Sequence, residues 1–317
     1  MSAAVSAGLR RFAWANLLYN LFVVAWGAYV RATGSGAGCG EHWPVCNGQV
    51  IPRDPSIETI IEFTHRLTSG LALVGVIALW LWARKALAPG HLVRRGAGAS
   101  VALMIVEALL GAGLVIFRLV ADDASTARAV AMALHLVNTL LLLGAIALTA
   151  WWAAGGRRFR FAGQGMVAGL LAGALLAVIV LGASGALAAL GNTLYPEVSG
   201  LEAHLAPTAH VLLKLAVFHP MIALLAGSYV LAALVIVALA RKDRTTRLLA
   251  GGAMALYLVQ VGLGFLNIFL MAPVWLQLIH LLVADGIWIA LVCLTAAALA
   301  AEPAPAEEAA PLAQPAV

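Results

Sequence analysis

The chain has 317 residues, of which 63% are hydrophobic and 10% charged. Too few polar side chains exist to cover a soluble surface, so the composition excludes a soluble globular domain and points to a polytopic membrane protein. The formal net charge of +5 sits in loops beside apolar runs and requires no nucleic-acid partner.

Apolar runs near the 20 residues that cross a bilayer occur eight times, at about 13–30, 65–83, 98–117, 130–152, 165–190, 215–240, 248–271 and 275–300. They predict an all-α integral membrane protein of eight transmembrane helices with both termini on one side. The first run follows Arg10 and Arg11 as a signal peptide would, but it is long and lacks a clear small-residue cleavage site, so it reads as a membrane helix. Arg10, Arg11, Arg84, Lys85, Arg94, Arg95, Arg157, Arg158, Arg160, Arg241, Lys242, Arg244 and Arg247 fall on one side, thirteen of the nineteen basic residues. The excess of Lys and Arg in cytoplasmic loops then places both termini in the cytoplasm of a cell that carries the protein in its plasma membrane.

After the first run comes a glycine-rich loop, Arg31 to Pro52, expected outside and containing Cys39 and Cys46. In an oxidising compartment these two are candidates for a disulfide. A metal pair is the weaker reading, because no second cysteine pair exists and His42 is the one nearby nitrogen ligand. Cys293, inside the last run, reads as a packed thiol.

The second run opens on Ile61-Glu62-Phe63-Thr64-His65-Arg66-Leu67. A charge at the bilayer centre costs about 2.5–3.5 kcal/mol on insertion scales, so such a cluster is a functional-site candidate. On a helix Glu62 and His65 share a face, with Glu58 one turn back. The competing reading is a Glu62–Arg66 ion pair that caps a helix end. Glu107, amid Ala, Leu and Gly in the third run, reads first as a neutral or hydrogen-bonded carboxyl. Asp122 and Asp123 read as a solvated turn between Arg118 and Arg128, and His135 lies near the outer end of the fourth run.

A Gly155-Gly156-Arg157-Arg158 break separates two halves, 1–156 and 157–301. The sixth run carries Phe218-His219-Pro220 and the eighth Leu278-Ile279-His280, again toward the outer end. Val259-Gln260-Val261-Gly262-Leu263-Gly264 echoes Val106-Glu107-Ala108-Leu109-Leu110-Gly111 in position. Two tandem four-helix bundles follow, in parallel repeat because each has an even number of crossings. The Pro/Ala/Glu-rich tail 302–317 is expected to be disordered.

Four of the eight histidines, His65, His135, His219 and His280, recur at the same end of every even-numbered run. One membrane histidine is usually a packed interior residue, but four at equivalent places are hard to attribute to packing. Imidazoles from two facing helices can ligate one porphyrin iron, pairing His65 with His135 and His219 with His280. Copper or zinc would also accept imidazoles, although two nitrogens per site leave their coordination incomplete. His91, His42, His204 and His210 read as solvated loop residues. Glu62 and Arg66 flank His65, whereas Ala216 and Pro220 hold the matching places around His219. This asymmetry suggests chemistry in the first half and a held cofactor in the second.

Gly27 to Cys39, then Trp43-Pro44-Val45-Cys46-Asn47-Gly48 with Ile51-Pro52, then Glu62-Phe63-Thr64-His65-Arg66, resemble the heme A synthase family of cytochrome oxidase assembly across residues 12–300. The resemblance implies two four-helix bundles and oxidation of the C8 methyl group of heme O, already farnesylated, to a formyl group. It implies Glu62 as the essential acid, His65 and His135 flanking the substrate heme, and His219 and His280 ligating a b-type heme; Arg66 is a candidate to bind the substrate heme through a propionate or to keep Glu62 ionised. A paired-cysteine outer loop is typical of one subgroup. The Ala-rich fifth run and its loop to Lys214 depart most from the pattern.

Two other classes compete. A diheme electron-transfer protein needs the four histidines but no acid. A transporter would use Glu62, Glu107 and Asp285 as a proton relay, against which stand their scattered depths. The synthase reading calls for an electron donor or acceptor that the sequence does not identify, and brings heme O synthase in as a candidate partner. Gly111 and Gly113 suit helix packing within one chain or in a homo-oligomer.

Overall fold

A computed structural model describes residues 5–198 and 201–300; the tail 302–317 lies outside the described residues. Eight helices are long and apolar enough to cross a membrane: α1 (Ala7–Ala32), α2 (Ile57–Ala86), α3 (Leu92–Ile116), α4 (Thr126–Ala153), α5 (Gly165–Leu194), α7 (Val211–Ala240), α8 (Arg244–Phe269) and α9 (Val274–Ala298). A short helix, α6 (Leu201–Leu205), precedes α7. Among the described residues no strand forms, only isolated bridges at Cys46–Gln49 and Phe159–Ala300.

The helices outrun the apolar segments that predict them, chiefly at their starts. Polar residues begin them by accepting otherwise orphaned backbone N–H groups: Ser6 from Leu9, Ser56 from Thr59, Ser125 from Arg128 and Asp243 from Thr246. His91 and His210, expected as solvated loop residues, do the same work. Their Nδ1 atoms accept from Val93 N and Leu212 N, so both are half-buried capping residues. The loop expected as a solvated turn is likewise tied down. Asp123 accepts from Ser125, and buried Arg128 donates to the carbonyls of Ala121 and Asp123.

Within the first half α1 packs on α2 and α4, α2 on α3, and α3 on α4; within the second, α5 packs on α7 and α9, α7 on α8, and α8 on α9. The halves meet where α4 touches α5 and α9 and where α1 touches α9 and α5. One continuous apolar core runs through this seam, from Leu17 and Val76 through Leu143 and Ile146 to Leu171, Leu234 and Leu291. Gly144 lets Trp288 approach closely, and the Trp288 indole N–H donates to the Leu140 carbonyl. At the end bearing the Arg31–Pro52 loop, Arg31 of α1 bridges the halves. It donates to Ala189 O at 2.7 Å and Thr193 Oγ1 on α5 and to Gln277 Oε1 at 3.0 Å on α9. Large apolar side chains such as Leu225 and Phe269 are 77% and 82% exposed. That would be a liability in water but matches a lipid-facing surface.

Candidate functional site

The four singled-out histidines lie six to nine residues from the starts of α2, α4, α7 and α9, all at the loop end. Because α2 begins at Ile57 rather than near His65, Glu62 is well inside a helix and does not cap its end. It is 3% exposed. Its Oε2 accepts from the Cys39 backbone N–H at 2.8 Å, and its Oε1 accepts from Arg66 Nε at 3.0 Å and from Arg66 Nη2. Arg66 Nη1 in turn donates to the carbonyls of His42 and Val45. The expected Glu62–Arg66 pair therefore exists, and it also fastens the loop to α2.

The loop makes this approach because Gly38 has no side chain. A Cβ there would lie 2.6 Å from Thr59 N and closer still to the Glu58 carbonyl group. The Gly38 carbonyl accepts from Thr59 Oγ1 at 2.7 Å and from Asn47 Nδ2 at 3.1 Å. Cys39 and Cys46 are fully buried and joined by a disulfide, seven residues apart. A ring that small stabilises by about 2–3 kcal/mol. Mass mapping of unreduced protein is expected to find Cys39 and Cys46 in one linked peptide with Cys293 free; two free loop thiols would contradict the bridge.

In the first half, the His65 ring lies against α1 at Gly27, where a Cβ would fall 2.9 Å from His65 Cε1. Glu107 of α3 faces α4, accepting from Asn138 Nδ2 at 2.5 Å and from Thr139 Oγ1, with its Oε1 3.4 Å from His135 Nδ1. Glu107 is thus a hydrogen-bonded carboxyl, as expected, and it also stands beside His135.

The second half repeats the arrangement with neutral partners. A Cβ on Gly185 of α5 would fall 3.1 Å from His219 Cε1, mirroring Gly27 and His65. Ser184 Oγ lies 2.9 Å from His219 Nδ1. His280 sits against Gly264 of α8. The Nδ1 atoms of His65, His135 and His280 are buried without a hydrogen-bond partner. Among the described residues no group of three or more His, Cys, Asp or Glu is arranged to chelate a metal ion directly. Asp285 is fully buried in α9 with both carboxyl oxygens unpartnered, so no hydrogen bond links it to Glu62 or Glu107.

Fold and site define a polytopic α-helical membrane protein with four helix-borne histidines toward one end of its helices. The chain belongs to the COX15-CtaA family, cytochrome oxidase assembly protein, whose profile matches residues 10–292. A Thermus thermophilus protein named protoheme IX farnesyltransferase is 52% identical over 294 residues, 92% of this chain and 48% of that protein. Heme A synthases of Shouchella clausii and Alkalihalophilus pseudofirmus are 48% and 50% identical over 112 and 97 residues. Those matches cover 35% and 31% of this chain, and 36% and 33% of the relatives. The chain spans about half the length of the Thermus relative. The resemblance to the heme A synthase family is borne out.

Proposed function

We propose that this protein is a heme A synthase that oxidises the C8 methyl group of heme O to a formyl group. His65 and His135 would hold the substrate heme, and His219 and His280 would ligate a resident b-type heme. The halves 1–156 and 157–301 would be two four-helix bundles, a reading supported by the closed circuit of helix neighbours in each. The single observation that carries the proposal is the asymmetry of the histidine pairs. A buried carboxylate, Glu62, stands one turn before His65, while Ala216 and Pro220 stand in the equivalent places around His219.

The donor sets fit heme. Each pair comes from two helices of one half, each site keeps ring nitrogens without protein partners, and glycines at Gly27 and Gly185 leave room for the imidazoles. When bound, the b-type heme supplies one-electron redox chemistry beside the substrate site. Converting a methyl to a formyl group is a four-electron oxidation that replaces two C–H bonds with one C=O; with water as the oxygen source, four protons and four electrons leave for an acceptor. Glu62 can stabilise positive charge developing at the methyl carbon or accept a proton from it. The Arg66 donors are engaged by Glu62 and two loop carbonyls. That favours a role in fixing Glu62 over one in holding a heme propionate. The bridged loop would close the site on the extracytoplasmic side of the cell membrane, with the basic loops in the cytoplasm.

Heme O is the product of protoheme farnesylation, and the extended match is to half of a protein named for that step. This supports a heme O synthase as the partner that delivers substrate. Pigment extraction from the purified protein tests the assignment. Noncovalent heme bearing farnesyl and formyl groups is expected; protoheme alone would favour a diheme electron carrier, and no heme a transporter.

A further inference from the structure

We infer that Glu107 is a positioning residue for His135, holding its imidazole with the proton on Nδ1 so that Nε2 is the nitrogen presented to iron. The inference rests on the reading of His135 as an axial ligand.

The carboxylate is pinned in place before any ligand arrives. Asn138 Nδ2 and Thr139 Oγ1 both donate to it. Asn138 is itself fixed by donating its second amide hydrogen to Leu103 O at 3.0 Å; the single Thr139 hydroxyl proton, given to Glu107, has His135 O at 2.9 Å as its alternative acceptor. The turn of α4 that follows His135 therefore grips the acid of α3. A carboxylate offers about four lone-pair sites, so two accepted bonds leave capacity for an imidazole N–H. His135 Nδ1 is buried and unpartnered, and the oxygen 3.4 Å away belongs to Glu107. That separation is slightly long for a hydrogen bond, and a small rotation of either side chain closes it.

The second half lacks this device. Gln260 occupies the place of Glu107 in the repeat, and His219 meets a serine hydroxyl. Among the described residues no carboxylate is in ion-pair contact with His219 or His280. A carboxylate behind a ligating imidazole fixes its tautomer and ring orientation and raises its basicity as a ligand. A more basic axial ligand stabilises ferric over ferrous iron, so Glu107 would set the substrate heme apart from the resident one.

The test uses the full chain carrying His280→Ala, so that heme bound in the first half is observed alone, loaded with heme O. Potentiometric titration and electron paramagnetic resonance are read with and without Glu107→Gln. The expected result is retained heme with a positive shift of midpoint potential and altered g-values. Unchanged potential and g-values with heme bound would overturn the inference and leave Glu107 as a mere tie between α3 and α4. Should Glu107→Gln not assemble, Thr139→Val is read in its place. It removes one pin and keeps the acid, and a positive shift is again expected while none would overturn the inference. Retention of low-spin heme by His135→Ala in the same background would defeat the axial-ligand reading itself, a failure distinct from an unshifted potential.

Discussion

Glu62→Gln is expected to fold, to bind heme, and to accumulate heme O or a partly oxidised intermediate with little heme A. Loss of a positioned acid or base lowers rates by about 10²–10⁴-fold, enough to make the intermediate the main extractable pigment. The variant is near-isosteric but not neutral toward its surroundings. In the native site one carboxylate oxygen faces two Arg66 donors and the other faces the Cys39 N–H. An amide has a single acceptor oxygen, so its NH₂ must face a donor on one side or the other. Leaving the Cys39 N–H unsatisfied, or the largely buried Arg66 without its charge partner, costs about 1–5 kcal/mol. The loop also keeps its disulfide and the Gly38–Thr59 bond. A stability loss of that size with heme binding intact would assign the catalytic defect to the missing charge. Normal heme A output would instead make Glu62 a structural partner of Arg66, and the chemistry proposed for it would be wrong.

The eight helices were legible because lipid imposes a length and composition that few other structures share. Their ends were not. Interfacial turns are polar and capped, so hydropathy stops short where Ser56 or Ser125 begins a helix. That shortfall mattered at Glu62, which stood before the apolar run from 65 and looked like an interfacial residue until α2 proved to start at Ile57. The capping role of His91 and His210 had a signal in their position directly ahead of an apolar run, the usual place of an N-cap.

The Glu62–Arg66 pair followed from i,i+4 spacing, and the disulfide from two cysteines in one short loop. Contacts between distant segments had no such ruler. Arg31 meets Thr193 and Gln277 across separations of 162 and 246 residues. Glu107 reaches α4 from α3, and helical periodicity does not say which neighbour a face will meet. A faint signal did exist there: Asn138 and Thr139 follow His135 by three and four residues, placing two donors on the adjoining turn.

His219→Ala or His280→Ala is expected to remove the b-type heme proposed for the second half while the first half still binds heme O. The neighbours that position both rings belong to the second half: Ser184 and Gly185 on α5 for His219, and Gly264 on α8 for His280. Pro220, directly after His219, donates no backbone hydrogen bond and so frees a carbonyl one turn back. The first pair is equally self-contained: His65 lies against Gly27 on α1, and His135 beside Glu107 on α3. Even outer-shell changes cost ligation about 10–100-fold, so removal of an axial imidazole should empty the site at ordinary heme levels. Total heme in protein purified with substrate should fall by about half, with the residual signal still low-spin bis-histidine. The reciprocal change, His65→Ala or His135→Ala, should keep the b-type spectrum and lose the bound heme O. Retention of a full bis-histidine spectrum in both second-half variants would mean that the ligands are shared across the seam where α1 and α4 meet α9, and the pairing within halves would have to be abandoned.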